Sequence, residues 1–198
     1  MHKTIMLLCS VAFLFPLVLN AGAPPAAGAE APPDTPKALY LLEREFEGRQ
    51  VSPDDFGRIS TPFTVEITFR PKFTIDSTVS RDILRNGVFG DSGFKLAFVS
   101  GRLYFFGYDR EKTGEKVWRV ATEQNRWEAG REYRVTAATD GYRAQIWVDG
   151  KPASPVASVF PIMPSDDNLH IGHLGGFIFS RAAVYNTDRL NLMEQEKK

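Results

Sequence analysis

Between residues 37 and 188 apolar and polar positions alternate in short runs, and clusters of Gly, Pro, Asn, Asp and Ser separate the runs. That is the pattern of half-buried β-strands joined by turns. The clearest case is Glu132 to Lys151, EYRVTAATDGYRAQIWVDGK. Asp140-Gly141 suits a two-residue type I′ turn, because both residues tolerate positive φ. That turn predicts Val135 opposite Ile146, Ala137 opposite Ala144 and Tyr133 opposite Val148 on an apolar face. Thr136 then lies opposite Gln145, and Arg134 opposite Trp147, on a mixed face. A second hairpin, Phe94 to Tyr108, turns at Ser100-Gly101. It pairs Phe98 with Leu103 and Leu96 with Phe105 on one side, and Ala97 with Tyr104 and Lys95 with Phe106 on the other.

The same reading marks strands at Ala38–Glu47, Phe63–Arg70 (stopped by Pro71), Val79–Asn86, Lys116–Thr122, Asn168–His173 and Phe177–Tyr185. Phe177, Phe179 and Tyr185 are expected to share one strand face. Ser52-Pro53-Asp54-Asp55 reads as a turn, and no long amphipathic helix is visible. About ten short strands with turns every eight to twelve residues indicate one all-β sandwich or barrel rather than βαβ units.

The flanks read differently. His2 and Lys3, an apolar run from Ile5 to Leu19 and the small-residue site Ala27-Gly28-Ala29 make residues 1–29 a signal peptide cleaved near Ala29, with an uncleaved anchor as the alternative. Residues 30–36 form a Pro-rich leader, and residues 189–198 a charged tail. The expected location is therefore secreted, periplasmic or extracellular. Cys9, the one cysteine, lies in the signal. The mature chain must then hold together without disulfides, and about 170 residues suffice to bury most of their apolar surface. Lys plus Arg and Asp plus Glu both number 24, a balance that attracts neither nucleic acid nor an anionic membrane. No stretch after the signal is long and apolar enough to insert in a bilayer.

Three stretches together, Pro62 to Pro71, Trp127 to Lys151 and Leu169 to Asn186, resemble the laminin G-like, concanavalin A-like lectin/glucanase family. The resemblance covers nearly all of residues 37–188. It implies an all-β, two-sheet antiparallel jelly-roll sandwich (concanavalin A-like). It also implies a secreted non-catalytic module that binds carbohydrate, an extracellular glycoconjugate or an extracellular protein. A structural, protein-interaction domain of an envelope or extracellular assembly is the alternative, and a glycoside hydrolase the more remote one.

The hydrolases of that family use paired carboxylates in a Glu-x-Asp-x-x-Glu strand, which this chain lacks; Glu43, Glu45 and Glu47 read as a solvated face. Gly90-Asp91-Ser92-Gly93 matches a serine-protease nucleophile motif, but the one upstream histidine is His2, so a turn is the better reading. His170 and His173 are three apart on a strand and cannot share an ion. No catalytic residue is assigned. The family's use of loop acids makes Asp54, Asp55, Asp166 and Asp167 calcium candidates; no other cofactor is expected. Trp147, Tyr104, Phe106 and Tyr108 point away from the inferred core, and with Arg134 and Gln145 they form the candidate ligand-binding set. The competing reading is that Arg134 and Lys95, or loops, cover these rings.

Overall fold

The computed structural model describes residues 38–114, 116–172, 174–187 and Leu190. The signal peptide, the leader, the cleavage site, Cys9, His173 and the tail apart from Leu190 fall outside those residues. The chain runs β1 (Ala38–Leu42), β2 (Arg49–Val51), a four-residue helix α1 (Pro53–Phe56), β3 (Phe63–Pro71) and β4 (Arg81–Asn86). It continues through β5 (Ser92–Val99), β6 (Arg102–Asp109), β7 (Val117–Ala121), β8 (Tyr133–Thr139) and β9 (Arg143–Val148). Two-residue strands β10 (Lys151–Pro152) and β11 (Ala157–Ser158) precede β12 (Leu169–Ile171) and β13 (Phe177–Tyr185).

These strands form two antiparallel sheets packed as a sandwich. One has seven strands, in the order β1-β13-β3-β8-β9-β10 with β11 also on β9; the other has six, β2-β12-β4-β5-β6-β7. The inward residues of both sheets interlock in one core, as expected when alternating strands bury one face each. Its centre is aromatic. Phe69 packs edge-on to Phe98 and Phe177, and Trp127 stands 4.8 Å from Tyr133. The polar edges of the indoles are satisfied, with Trp127 Nε1 donating to the Gly101 carbonyl at 3.0 Å and Trp118 Nε1 to that of Phe160 at 2.8 Å. Gly107 lies against Trp118, where any Cβ would overlap the indole ring. Glycine is therefore needed in that strand to let the tryptophan reach the core.

The two hairpins differ from each other in how they meet expectation. At Ser100-Gly101 both residues have positive φ, 50° and 78°, and the register is the one expected, Phe98 opposite Leu103 and Lys95 opposite Phe106. At Asp140 the turn is wider: Thr139 pairs with Ala144, Ala137 with Ile146 and Thr136 with Trp147. The register is displaced by two residues because the Asp140 carboxylate accepts from the backbone N–H groups of Tyr142 (2.7 Å) and Arg143 (2.6 Å), closing a four-residue loop. A shift of two preserves the pleat, so the residues expected inside remain inside. Arg134 no longer faces Trp147. It meets Asp149 instead, whose Oδ1 accepts from the Arg134 N–H at 2.9 Å.

Three further corrections concern local structure. β1 ends at Leu42, after which Phe46 rejoins the sheet by an isolated bridge to Phe179. Ser52 caps α1 where a bare turn was expected, which puts Asp54 and Asp55 in the first helical turn. In β13 a bulge between Phe179 and Arg181 reverses the pleat. Phe177 and Phe179 therefore enter the core while Tyr185 lies on the outer face, so the three do not share a face.

Candidate functional site

The ligand-binding set proposed from sequence is divided by the sandwich. Trp147, Gln145 and Arg134 lie on the outer face of the seven-stranded sheet, and Tyr104, Phe106 and Tyr108 on the outer face of the six-stranded one. The whole core separates them, so one ligand cannot bridge them.

On the seven-stranded side the face is closed. Trp147 is 1% exposed and packs with Ala138 under Leu190. Gln145 is buried, its Nε2 donating to the Ser154 carbonyl at 2.9 Å. Glu66, 2% exposed, accepts from Arg181 Nη2 at 3.4 Å and lies 3.9 Å from Arg134 Nη2. Arg181 also donates to the Tyr185 hydroxyl at 2.9 Å and pairs with Glu43. The neighbouring glutamates are paired likewise, Glu45 with Arg70 and Glu47 with Lys72. Trp147 thus points outward as its position in the strand requires, but presents no ring to a ligand.

The six-stranded side is partly covered and holds a different chemistry; Tyr108 is 1% and Phe106 8% exposed, so of the row expected to bind a ligand only Tyr104 keeps a half-open ring. Tyr104, Phe106 and Tyr108 stack along β6, with centroids 5.5 and 6.3 Å apart and planes within 18° of parallel. Phe89, in the loop between β4 and β5, tilts against Tyr108 at 5.4 Å. Lys95 Nζ lies 4.5 Å from the centre of Phe89 and 5.2 Å from that of Phe106, and pairs with Asp82 at 3.4 Å. The Lys95 cover over Phe106 expected from sequence is therefore present. Burial, and secondarily the Asp82 carboxylate, raises the Tyr108 hydroxyl well above its ordinary pKa, so it stays protonated; that hydroxyl and Arg85 Nε are buried with no hydrogen-bond partner.

Phe89 is the residue that sequence reading passed over. It is 69% exposed, on a loop that turns at Gly87 and Gly90, both at positive φ. The Asp91 and Ser92 N–H groups close the loop on the Val88 carbonyl at 3.0 and 3.2 Å. An apolar Val88-Phe89 pair between two glycines, where turns favour polar residues, was the available signal. Phe89 and Arg85 line two hollows at once. One is a cleft of about 410 Å³ shared with Val88, Asn168 and His170; the other is a small enclosed pocket reaching Tyr108. Asn86 Nδ2 donates to the Asp167 carbonyl at 2.7 Å and so fixes the far wall of the cleft.

Of the aspartates suggested for calcium, Asp54 and Asp55 lie in the first turn of α1, while Asp166 and Asp167 are engaged by neighbours. Arg58 holds both oxygens of Asp166 at 2.7 and 3.0 Å, and Asp167 Oδ2 accepts from Ser165 Oγ at 3.2 Å. Among the described residues no three His, Cys, Asp or Glu side chains converge as a metal site. No helix among the described residues is long and apolar enough to cross a membrane.

No family model matches the chain, and no curated protein matches it. Solved structures do. The Ruminococcus gnavus IT-sialidase CBM40 bound to α2,3 sialyllactose aligns at TM-score 0.57 with 15% identity, over 77% of this chain and 94% of that one. The binding domain of Paraclostridial mosquitocidal protein 1 gives 0.55 and 12%, over 79% and 46%, and the structure of NanB plus Optactamide 0.59 and 10%, over 81% and 28%. This chain therefore spans under half the length of the latter two. At such identities the likeness is one of fold, and the fold is a two-sheet antiparallel β-sandwich.

Proposed function

We propose that the chain is an exported, non-catalytic carbohydrate-binding module of the concanavalin A-like, laminin G-like type, and that the outer face of the six-stranded sheet binds the sugar. The observation that carries this reading is Phe89, a phenyl ring 69% exposed beside a cleft of about 410 Å³. An exposed ring forfeits most of the roughly 1.5–3 kcal/mol that burial would give it, which favours a partner for its open side. Sugars suit such a surface because their C–H faces stack on aromatic rings while their hydroxyls bond to adjacent polar groups, here Arg85, Asn168 and His170. A structural neighbour described as bound to sialyllactose supports the same reading through fold.

The absence of the family's paired-carboxylate strand motif, and the ion pairs that hold Glu43, Glu45 and Glu47, favour binding over hydrolysis. Export rests on the character of residues 1–29. The test is a glycan array probed with residues 30–198, with hits confirmed by calorimetry. Saturable binding of defined glycans without their cleavage is the expected result. Glycan hydrolysis, or silence across the array alongside stable capture of a protein, would replace this reading.

A further inference from the structure

We infer that the six-stranded face selects an anionic glycan, with Arg85 as receptor for its carboxylate or sulfate oxygens; the inference rests on the carbohydrate-binding reading above. The register of the sheet supplies the first argument. Gln50 pairs with His170, His170 with Arg85, Arg85 with Lys95, Lys95 with Phe106 and Phe106 with Arg119. These six residues form one outward row across all six strands, with neighbours about 5 Å apart. Every formally charged member of the row is basic. A linear chain of charged sugars laid across the strands would meet a cation at successive steps, with the exposed Phe89 ring beside them.

Charge compensation supplies the second argument. About half of the described arginines hold carboxylates, among them Arg58 with Asp166, Arg110 with Asp91, Arg131 with Asp149 and Arg181 with Glu66. Lys95 in the row is likewise paired, with Asp82. Among the described residues Arg85 and Arg119 have no such acid. Asp167, the acid lining the cleft, directs Oδ2 to Ser165. Arg85 also carries a buried Nε–H without an acceptor. The Arg85 guanidinium lines the cleft, so an anionic oxygen entering it would meet a charged donor that no acid holds. Phe89 lines that same cleft, so the sugar ring bearing the anion would be brought against the exposed phenyl face.

The experiment titrates the protein with three hexasaccharides: a heparin-derived one bearing sulfates, an oligogalacturonate bearing carboxylates alone, and neutral maltohexaose. Both anionic chains, or one of them, should bind far more tightly than the neutral chain; which one identifies the anion. Affinity should fall severalfold when salt is raised from 50 to 200 mM, since screening weakens exposed charge pairs. Arg85→Gln should lower affinity about tenfold or more, as expected for a charge-assisted hydrogen bond. Arg119→Gln, at an exposed site that does not bear on folding, should lower it severalfold. Lys72→Gln, on the rim of the other sheet and paired with Glu47, should leave it unchanged. Maltohexaose bound as tightly as the anionic chains, with Arg85→Gln and Arg119→Gln neutral, would overturn the anionic inference and leave the carbohydrate reading standing. Equal losses in Lys72→Gln and the row variants would overturn the site. Failure of all three chains and of a full glycan array would remove both readings.

Discussion

The two outer faces of this sandwich start from the same strand grammar and end covered to different extents. On the seven-stranded sheet Trp147 and Glu66 point away from the core and yet are almost completely covered, Trp147 by Leu190 and Glu66 among arginines. On the six-stranded sheet Phe106 and Tyr108 are buried too, but Tyr104, Lys95 and Arg85 stay partly accessible, with the exposed Phe89 at the edge. The difference is set by what lies above each sheet. Direction of a side chain follows from the two-residue period of a strand, whereas accessibility depends on distant segments that return over the face. An outward tryptophan is therefore no more a binding residue than an inward one until its cover is known.

The comparison breaks most readily at Trp147. Trp147→Ala should cost about 3–5 kcal/mol as a large-to-small change at a closed site. For a domain of this size that is a fall of roughly 6–20 °C in Tm, measurable by calorimetry. Glycan affinity of the folded fraction should be unchanged. A variant of wild-type Tm that has lost binding would show the seven-stranded face to be open in solution.

Phe89→Ala is the mirror image. Its ring is mostly exposed, so Tm should move by no more than about 2 °C. Affinity for the glycan found on the array should drop roughly three- to tenfold, the scale of one aromatic contact. Isothermal titration reads the second effect and thermal denaturation the first; a large fall in Tm with full affinity would make Phe89 a packing residue.

The smallest effect sharpens the contrast between the hairpins of the two sheets. Burial pulls the Asp140 carboxyl upward, but the N–H groups of Tyr142 and Arg143 and the Arg143 guanidinium together hold it below the ordinary carboxylate value. A depressed folded-state pKa contributes stability that is fully present above about pH 5 and is lost as pH falls through the depressed value. Denaturant midpoints measured from pH 5 to pH 2 should therefore fall more in the wild type than in Asp140→Asn. The Ser100-Gly101 turn, at positive φ and bonded to Val79, Ser80 and Trp127, carries no carboxylate, so a Ser100→Asn variant should keep the wild-type pH profile.

Much of this architecture was legible because strand periodicity is local. The alternation in Phe63–Arg70, the Ser100-Gly101 register and the inward set Val135, Ala137 and Ile146 required only neighbouring residues. The errors arose where one side chain redirected the backbone or the pleat. The Asp140 carboxylate widened a turn that Asp-Gly alone would have closed in two residues, and the β13 bulge moved Tyr185 to the other face from Phe177. Neither event changes hydropathy, so neither marks the pattern.

Sequence alone determined the all-β class, the main strands and, in the clearly alternating strands, which side faces the core, because burial of alternating apolar residues leaves few other solutions. Only the tertiary structure decided that Trp147 and the Tyr104 row stand on opposite sides of the molecule, and that Leu190 closes one of them. It also brought Arg85, Phe89 and His170 to one cleft, although they come from two strands and a loop separated by up to 85 residues in sequence. The reason is physical: strand order within a sheet and the covering of a face are long-range packing outcomes, whereas the side-chain period that sequence reveals extends only along a single strand.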